Sequence, residues 1–508
     1  MFLIPSLGRR IARRLRRAPG PLGQQWHRRT LRRANPTRAT RKEATEPWRH
    51  DPQWFPGGTP PRSHNRVTPL IDGHAFFDDL SRALSTAQHY VYIIGWYLTP
   101  AIPLQRGTSD TVVATRLHGV LAETAQRLPV RVLLWSGAPF LFKPDRHAVD
   151  EVKQSLEEHA RTTGADLLCE LDNSARFSHC HHQKAIVIDG QLAFVGGMDL
   201  TTLQGDRWDL PGHPLRAGIN WHDVQLRLEG EAVADVERNF RQRWQAVSKE
   251  RLLPSHPPTW QPDWQTTVQI VRTIPHRVYD FAPHGEYGIQ HVYLRAIEQA
   301  RRLIYLENQY LWSPEVGQAL IDAMNRQVDS PFRIVIVLPA RAYDGKDDND
   351  KHVEALRKAD KGRGIVSVYC PYASGPNSGT QPFTYRPTYV HAKVGIFDDE
   401  WLLIGSANLN DRGLLTDSEI VAVAHDAVLA RRTRIDLWTE HLALPREQVE
   451  AAEPHSLVDG PWAAHAARNA RIIQRGDRPL LGALHRYEPG RMPGSWFLDD
   501  VEALLVEH

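Results

Sequence analysis

Cysteine is scarce: Cys169, Cys180 and Cys370 are the only three in 508 residues. So sparse and odd a set argues against a disulfide framework and leans towards a reducing compartment. No apolar run reaches the roughly 20 residues that a spanning helix needs, so no transmembrane helix is expected. Acid is missing altogether from residues 1–42, which hold twelve arginines and one lysine. The formal net charge of +3 therefore hides a body that is negative by about ten charges. A duplex-binding domain usually carries its own basic face, and with the basic character placed in the tail no nucleic-acid partner is expected.

What is present is ordinary globular composition, 41% hydrophobic and 24% charged, in a chain long enough for two to four domains. Leu3, Leu7, Ile11 and Leu15 form an i, i+4 stripe with arginines around it. That pattern predicts a short basic amphipathic helix suited to an anionic membrane surface, and with it a cytoplasmic, membrane-peripheral location. Residues 18–65, rich in Pro, Gly, Arg and Thr, read as a flexible tail.

From residue 66 the chain repeats itself. Ala83-Leu84 to Val91-Tyr92-Ile93 is echoed at Ala296-Ile297 to Ile304-Tyr305-Leu306, and buried strands follow at 130–135 and 332–338. Helices alternating with buried strands predict an α/β fold of two similar lobes, each a mixed sheet flanked by helices, with the site between them. Prolines 254, 257, 258 and 262 mark the linker. The expected divisions are a tail at 1–65, lobe 1 at 66–250, lobe 2 at 251–445 and an extension at 446–508.

The two halves share one motif. The first copy reads His182-Gln-Lys184-Ala-Ile-Val-Ile-Asp189, then Gly196-Gly197-Met198-Asp199; the second reads His391-Ala-Lys393-Val-Gly-Ile-Phe-Asp398, then Gly405-Ser406-Ala407-Asn408. His and Lys two apart on an extended strand point to the same face. The apolar runs 185–188 and 394–397 read as buried strands, and Asp189-Gly190 and Asp398-Asp399 as turns into a second strand. Two copies face to face would put two imidazoles and two ammoniums around one pocket. That inventory suits a phosphodiester: one imidazole attacks phosphorus, the other protonates the leaving alcohol, and the lysines neutralise the oxygens. Such a site needs no metal or other cofactor.

The duplicated motif resembles that of the phospholipase D superfamily, and the resemblance covers most of residues 66–445. It extends to Gly205-Asp-Arg-Trp208-Asp209, Gly285-Glu286-Tyr-Gly-Ile289, Glu307-Asn308-Gln309-Tyr310 and Asp417-Ser-Glu419. It implies a phospholipase D-type enzyme that cleaves the head group of a glycerophospholipid through a phosphohistidine, with transfer to an alcohol as a second outcome. A cardiolipin synthase-like phosphatidyl transferase is the alternative; a nuclease or a non-catalytic scaffold ranks below it. A phospholipid substrate, an anionic membrane surface and a monomeric state are expected.

By the resemblance His182 is the nucleophile and His391 the acid, with Lys184 and Lys393 clamping the phosphate. Asn408, and after it Ser406, are expected to donate to phosphate oxygens, and Asp199 makes the first half the weaker contributor. Asp189 and Asp398 complete the catalytic motif, yet they sit at turns, where bonding turn amides is the expected role. Each imidazole needs an acceptor on its other ring nitrogen; Asp223 and Glu419, each at the start of a strand after its motif, are the candidates. The run Ser178-His179-Cys180-His181-His182 resembles a zinc cluster, but neighbours on one strand point to alternating faces and no distant pair completes a site. Asp344–Asp350 lacks the glycine and distal glutamate of a calcium loop. Trp96, Tyr97, Trp208, Tyr310 and Trp312 are expected near the pocket mouth, as an amphipathic rim or as core.

Overall fold

The computed structural model describes residue 41 and residues 58–106, 116–138, 144–176, 179–327, 331–342, 346–377, 379 and 381–490. The expected amino-terminal helix at 3–15 lies outside these residues.

Lobe 1 is built from β1 (Arg62–Ile71), α1 (Asp72–Thr86), β2 (Val91–Gly95), α2 (Leu117–Ala125), β3 (Val130–Trp135), α3 (Arg146–Thr163), β4 (Leu167–Asp172), β5 (Ala185–Ile188), β6 (Leu192–Gly196), β7 (Val224–Gly230) and α4 (Val233–Val247). Lobe 2 repeats this order: β8 (Thr266–Ile274), α5 (Gly288–Gln299), β9 (Leu303–Glu307), α6 (Pro314–Arg326), β10 (Arg333–Val337), α7 (Lys346–Asp360), β11 (Val366–Pro376), β12 (Val394–Phe397), β13 (Trp401–Gly405), β14 (Glu419–His425) and α8 (Ala427–Leu442). The sheet orders are 1-7-6-5-2-3-4 and 8-14-13-12-9-10-11. Strands β2, β3 and β4, and β9, β10 and β11, pair in parallel, and the motif hairpins pair antiparallel. An antiparallel contact between β1 and β8, Asn65 opposite Thr266, joins the two sheets edge to edge.

The strands alternate between two buried faces. In β5, Ala185 and Val187 join the core shared by both lobes, whereas Ile186 and Ile188 pack under the helices α1 to α3. In β12, Val394 and Ile396 enter the shared core and Phe397 the core under α5 to α7. Helices α4 and α8 contribute Phe240, Trp244, Leu437 and Trp438 to the shared core. The result is five layers, helix–sheet–helix–sheet–helix, which is why these strands read as unbroken apolar runs.

The motif hairpins turn where the sequence placed turns. Asp189, Gly190, Asp398 and Asp399 all have φ between 56° and 68°, the paired left-handed residues of a type I′ hairpin. Beyond lobe 2, α9 (Ala463–Arg475) follows, and residues Leu484–Arg486 add an antiparallel strand to β11. Trp462 of this extension is fully buried in the shared core. Among the described residues no helix is long and apolar enough to cross a membrane.

Candidate active site

The segments leading into the two motifs cross between the lobes. The His182 N–H donates to Ser418 O at 2.9 Å, and the His391 N–H donates to His222 O at 2.8 Å. Residues 389–390 pair in parallel with 221–222, and His181 bridges to Ser418 in the same sense. Each lobe thereby presents its catalytic strand to the end of the other lobe's last strand.

This crossing decides which carboxylate serves which imidazole. His182 Nδ1 lies 2.8 Å from Glu419 Oε1, and His391 Nδ1 lies 2.7 Å from Asp223 Oδ2. Lobe 2 therefore orients the histidine of lobe 1, and lobe 1 that of lobe 2. Among the described residues neither Nε2 has a hydrogen-bond partner, so both remain available to a ligand. Burial, then the charges of Lys184, Lys393 and His391, push His182 well below its usual value. Burial, then Lys393, Arg207 and Lys184, do the same for His391. Burial also raises Asp223 and, more strongly, Glu419. Both shifts favour the neutral imidazoles. His182 is the more open, its side chain 14% exposed against 9% for His391.

The lysines are not equivalent. Lys184 Nζ donates to His182 O at 2.9 Å and pairs with Asp199 at 3.1 Å, whose other oxygen accepts the Trp96 N–H. Lys393 donates to His391 O and, at 3.5 Å, to Gln309 Oε1. Burial lowers its pKa to about 7 even though Asp223 opposes the shift. Asn408 is buried, and its Oδ1 has no hydrogen-bond partner among the described residues.

Three expected site residues sit behind the cleft. Ser406 was a candidate phosphate donor, but it is fully buried, donates to Glu419 and accepts the Ile420 N–H at 3.0 Å; it props the carboxylate. Asp189 accepts the N–H groups of Gln88, His89 and Tyr90 at 2.6–3.0 Å, and Asp398 those of Arg301, Arg302 and Leu303 at 2.7–2.8 Å. Each motif aspartate thus ties its hairpin to the start of the neighbouring strand and does not reach the imidazoles.

Of the aromatic residues, Trp96 meets the His182 ring edge-on with centroids 6.3 Å apart and lies parallel to Trp135 at the same distance. Tyr310 and Trp312 stack at 5.1 Å. Trp221, absent from the sequence reading, lies 5.1 Å from the His391 ring with the Arg207 guanidinium 4.0 Å over its face.

A buried polar layer backs the two histidines. Asp172 accepts from Arg243 at 2.8 Å and from Tyr279, and lies 3.1 Å from His181 Nε2; His181 Nδ1 meets Ser418 Oγ at 2.9 Å. Next to Asp223, His222 lies 3.0 Å from Asp72 and 2.9 Å from Glu307. Asp72, His213 and His222 offer ligand atoms within 4.8 Å of one another, as do His222, Glu307 and His441. His213 Nδ1 lies 3.3 Å from Asp209, and its Nε2 lies 3.8 Å from Asp72 and 3.7 Å from Glu440. Against the opposing effect of burial, the charges of Glu307 and Asp72 raise His222 well above its usual value, which favours ion pairing over metal ligation. The 179–182 run itself does not converge: His181 points to Asp172, and Cys180 is buried with its N–H on Asp417.

Two lobes of one fold exchange carboxylates around a pair of histidines and a pair of lysines, an inventory suited to an esterified phosphate. Comparison with known proteins agrees. Residues 83–220 match the family model described as "Phospholipase D", and residues 293–438 the one described as "Cardiolipin synthase, PLD-like domain". Phospholipase D alpha 1 of Cynara cardunculus is 25% identical, over 85% of this chain and 73% of that protein. Phospholipase D alpha 4 of Arabidopsis thaliana is 25% identical, over 78% of this chain and 68% of that protein. Among solved structures, phosphatidylserine synthase of Haemophilus influenzae aligns with a TM-score of 0.48 at 13% identity, covering 86% of this chain and 99% of that one. The chain belongs to the phospholipase D superfamily.

Proposed function

We propose that this protein is a phospholipase D-type phosphodiesterase acting on glycerophospholipids. The observation that carries the reading is the pair of imidazoles, each held at Nδ1 by a buried carboxylate of the opposite lobe, with Nε2 left for chemistry.

His182 Nε2 attacks phosphorus, and the P–O bond to the head group breaks as His391 delivers a proton to the leaving oxygen. The phosphate's negative charge offsets the depressed basicity of His391, so substrate binding brings that proton. His391, now neutral, takes a proton from water as the water oxygen bonds phosphorus, the P–N bond to His182 breaks, and phosphatidate leaves. Glu419 holds the His182 ring and balances its positive charge while phosphorus is attached. Lys393 and Asn408 meet the non-bridging oxygens. Lys184 is partly neutralised by Asp199 and contributes less. An alcohol in place of water gives transphosphatidylation, and a lipid alcohol gives the cardiolipin synthase-like outcome. We place the enzyme at a membrane surface, where its substrate lies.

Mass spectrometry of products from phosphatidylcholine, with and without ethanol, tests this reading. Phosphatidate is expected from water and phosphatidylethanol when ethanol is added. If neither forms at any enzyme level that His182→Ala fails to match, the reading is wrong.

A further inference from the structure

The helix α9 in the carboxy-terminal extension is two-faced. Ala466, Asn469 and Ile472 are buried, whereas Arg468, Arg471 and Arg475 recur at helical spacing on the exposed side. None of these three arginines has an ion pair or hydrogen bond among the described residues. After the helix, Gly476 turns the chain with φ 71°, its N–H donating to Ile472 O at 2.8 Å, and brings Arg478 alongside.

The loop that follows is fixed in place. The Asn469 amide donates to Leu481 O at 3.0 Å and Leu484 O at 2.8 Å, and accepts the Leu481 N–H at 3.0 Å. The Tyr385 hydroxyl donates to Arg478 O at 2.7 Å. Helix and loop border an open pocket of about 290 Å³ lined by Arg468, Arg471, Ile472, Arg475, Asp477 and Arg478. Asp477 is the one acid in that lining, and it is engaged by Arg478 at 3.1 Å. Three exposed guanidiniums thus line one wall with a single acid, Asp477, already held by Arg478, in a body whose net charge is negative.

Like charges held together are costly unless an anion joins them. Arg468 to Arg475 spans about 10 Å of helix, at about 1.5 Å per residue. That exceeds one phosphate and matches neighbouring head groups on a leaflet or a ligand with several phosphates. The helix end itself is negative, so the side chains and not the backbone must hold the anion.

We infer that this arginine face docks on the phosphate head groups of an anionic phospholipid surface, a step that rests on the lipid reading of the active site. Continuity with the cleft favours a membrane over a nucleic acid. Tyr385, which holds the arginine loop, belongs to the strand Phe383–Pro387 that pairs with β11. From the same strand Arg386 donates to Ala217 O at 3.1 Å. That loop lies between Arg207 and Trp221, the two residues stacked beside His391. The strand Phe383–Pro387 therefore connects the arginine loop to the loop that leads into Trp221, which packs beside His391.

The test is co-sedimentation of the full chain with vesicles of phosphatidylcholine alone and with added phosphatidylserine, in parallel with a fluorescent RNA oligonucleotide and with inositol hexakisphosphate. Arg468→Glu/Arg471→Glu/Arg475→Glu is compared with the corresponding triple lysine variant. The glutamate variant should lose affinity for phosphatidylserine vesicles by on the order of a hundredfold at low salt, and the lysine variant should keep most of it. Turnover of dispersed short-chain phosphatidylcholine should be unchanged in both, which also certifies that they fold. Unchanged vesicle binding by the glutamate variant overturns the proposal. So does a loss confined to RNA or to inositol hexakisphosphate. Because vesicle binding needs no turnover, His182→Ala should still bind, and the docking surface can fail while cleavage of phosphatidylcholine stands.

Discussion

Replacing Glu419 by Gln tests the crossed arrangement most directly. The substitution keeps the size of the side chain and an acceptor for His182 Nδ1, and removes the buried group that can carry the counter-charge once the ring becomes cationic. In the ground state the imidazole is neutral, so little is lost. When phosphorus joins Nε2 the ring becomes cationic, and the carboxylate lies about 4 Å from its centre of charge. At an effective dielectric constant of about 20, that attraction is worth about 4 kcal/mol, or roughly three powers of ten in rate. We expect kcat to fall about a thousandfold, with KM within about threefold of the parent and melting temperature nearly unchanged. Asp223→Asn should cost a similar factor, but at the other step. Quenching during turnover should find no phosphohistidine in Glu419→Gln, and an accumulated one in Asp223→Asn, where His391 is the impaired partner. A loss smaller than about tenfold in Glu419→Gln would refute the charge argument. The reverse pattern of trapping would make His391 the nucleophile.

Three further outcomes follow from the same geometry. A Cβ built on Gly197 would lie 2.1 Å from Asp223 Oδ1, so Gly197→Ala should displace that carboxylate from His391 and lower kcat by at least about tenfold, with folding, followed by circular dichroism, retained. Asp189→Ala removes the acceptor of three amides. It should lower stability to urea by about 2–4 kcal/mol while leaving kcat of the surviving enzyme within about threefold. Lys393, brought down to about 7 by burial, is charged below that pH and neutral above it. Phosphate binding should therefore weaken as pH rises, and kcat/KM should fall above about pH 7, whereas kcat, measured with the anion already bound, should stay level to higher pH. A kcat/KM profile flat to pH 9 would contradict the burial of this ammonium.

Much of this was legible in the chain. The apolar runs at 185–188 and 394–397 became β5 and β12, because a strand buried on both faces must be apolar at every position. The first strand was not legible. β1 carries Arg62, His64, Arg66 and Pro69, and its burial alternates only weakly because its outer face meets solvent. Within the site, spacing along one strand pointed to His182 with Lys184 and to His391 with Lys393. It also proposed Asp223 and Glu419, but no local pattern could say that each serves the histidine of the other half, since the crossing exists only after the lobes pack. Ser406 was misjudged for a related reason. A small polar residue beside a phosphate motif reads as a donor to ligand, and only burial against Glu419 shows its hydroxyl already committed. Gln309 lay in a quoted motif, yet its contact with Lys393 depends on β9 lying beside β12.

The traded carboxylates have a consequence for how such a chain can change over time. Neither half holds a finished histidine on its own, so expressing either one separately should give a protein without turnover even if it folds. In an assembly of two identical copies, every substitution would alter both imidazoles together. Joined in one polypeptide, the halves are released from that symmetry. Glycine beside aspartate on one side and serine beside glutamate on the other, like Asp199 against Asn408, record two positions already free to specialise, one for attack and one for proton delivery.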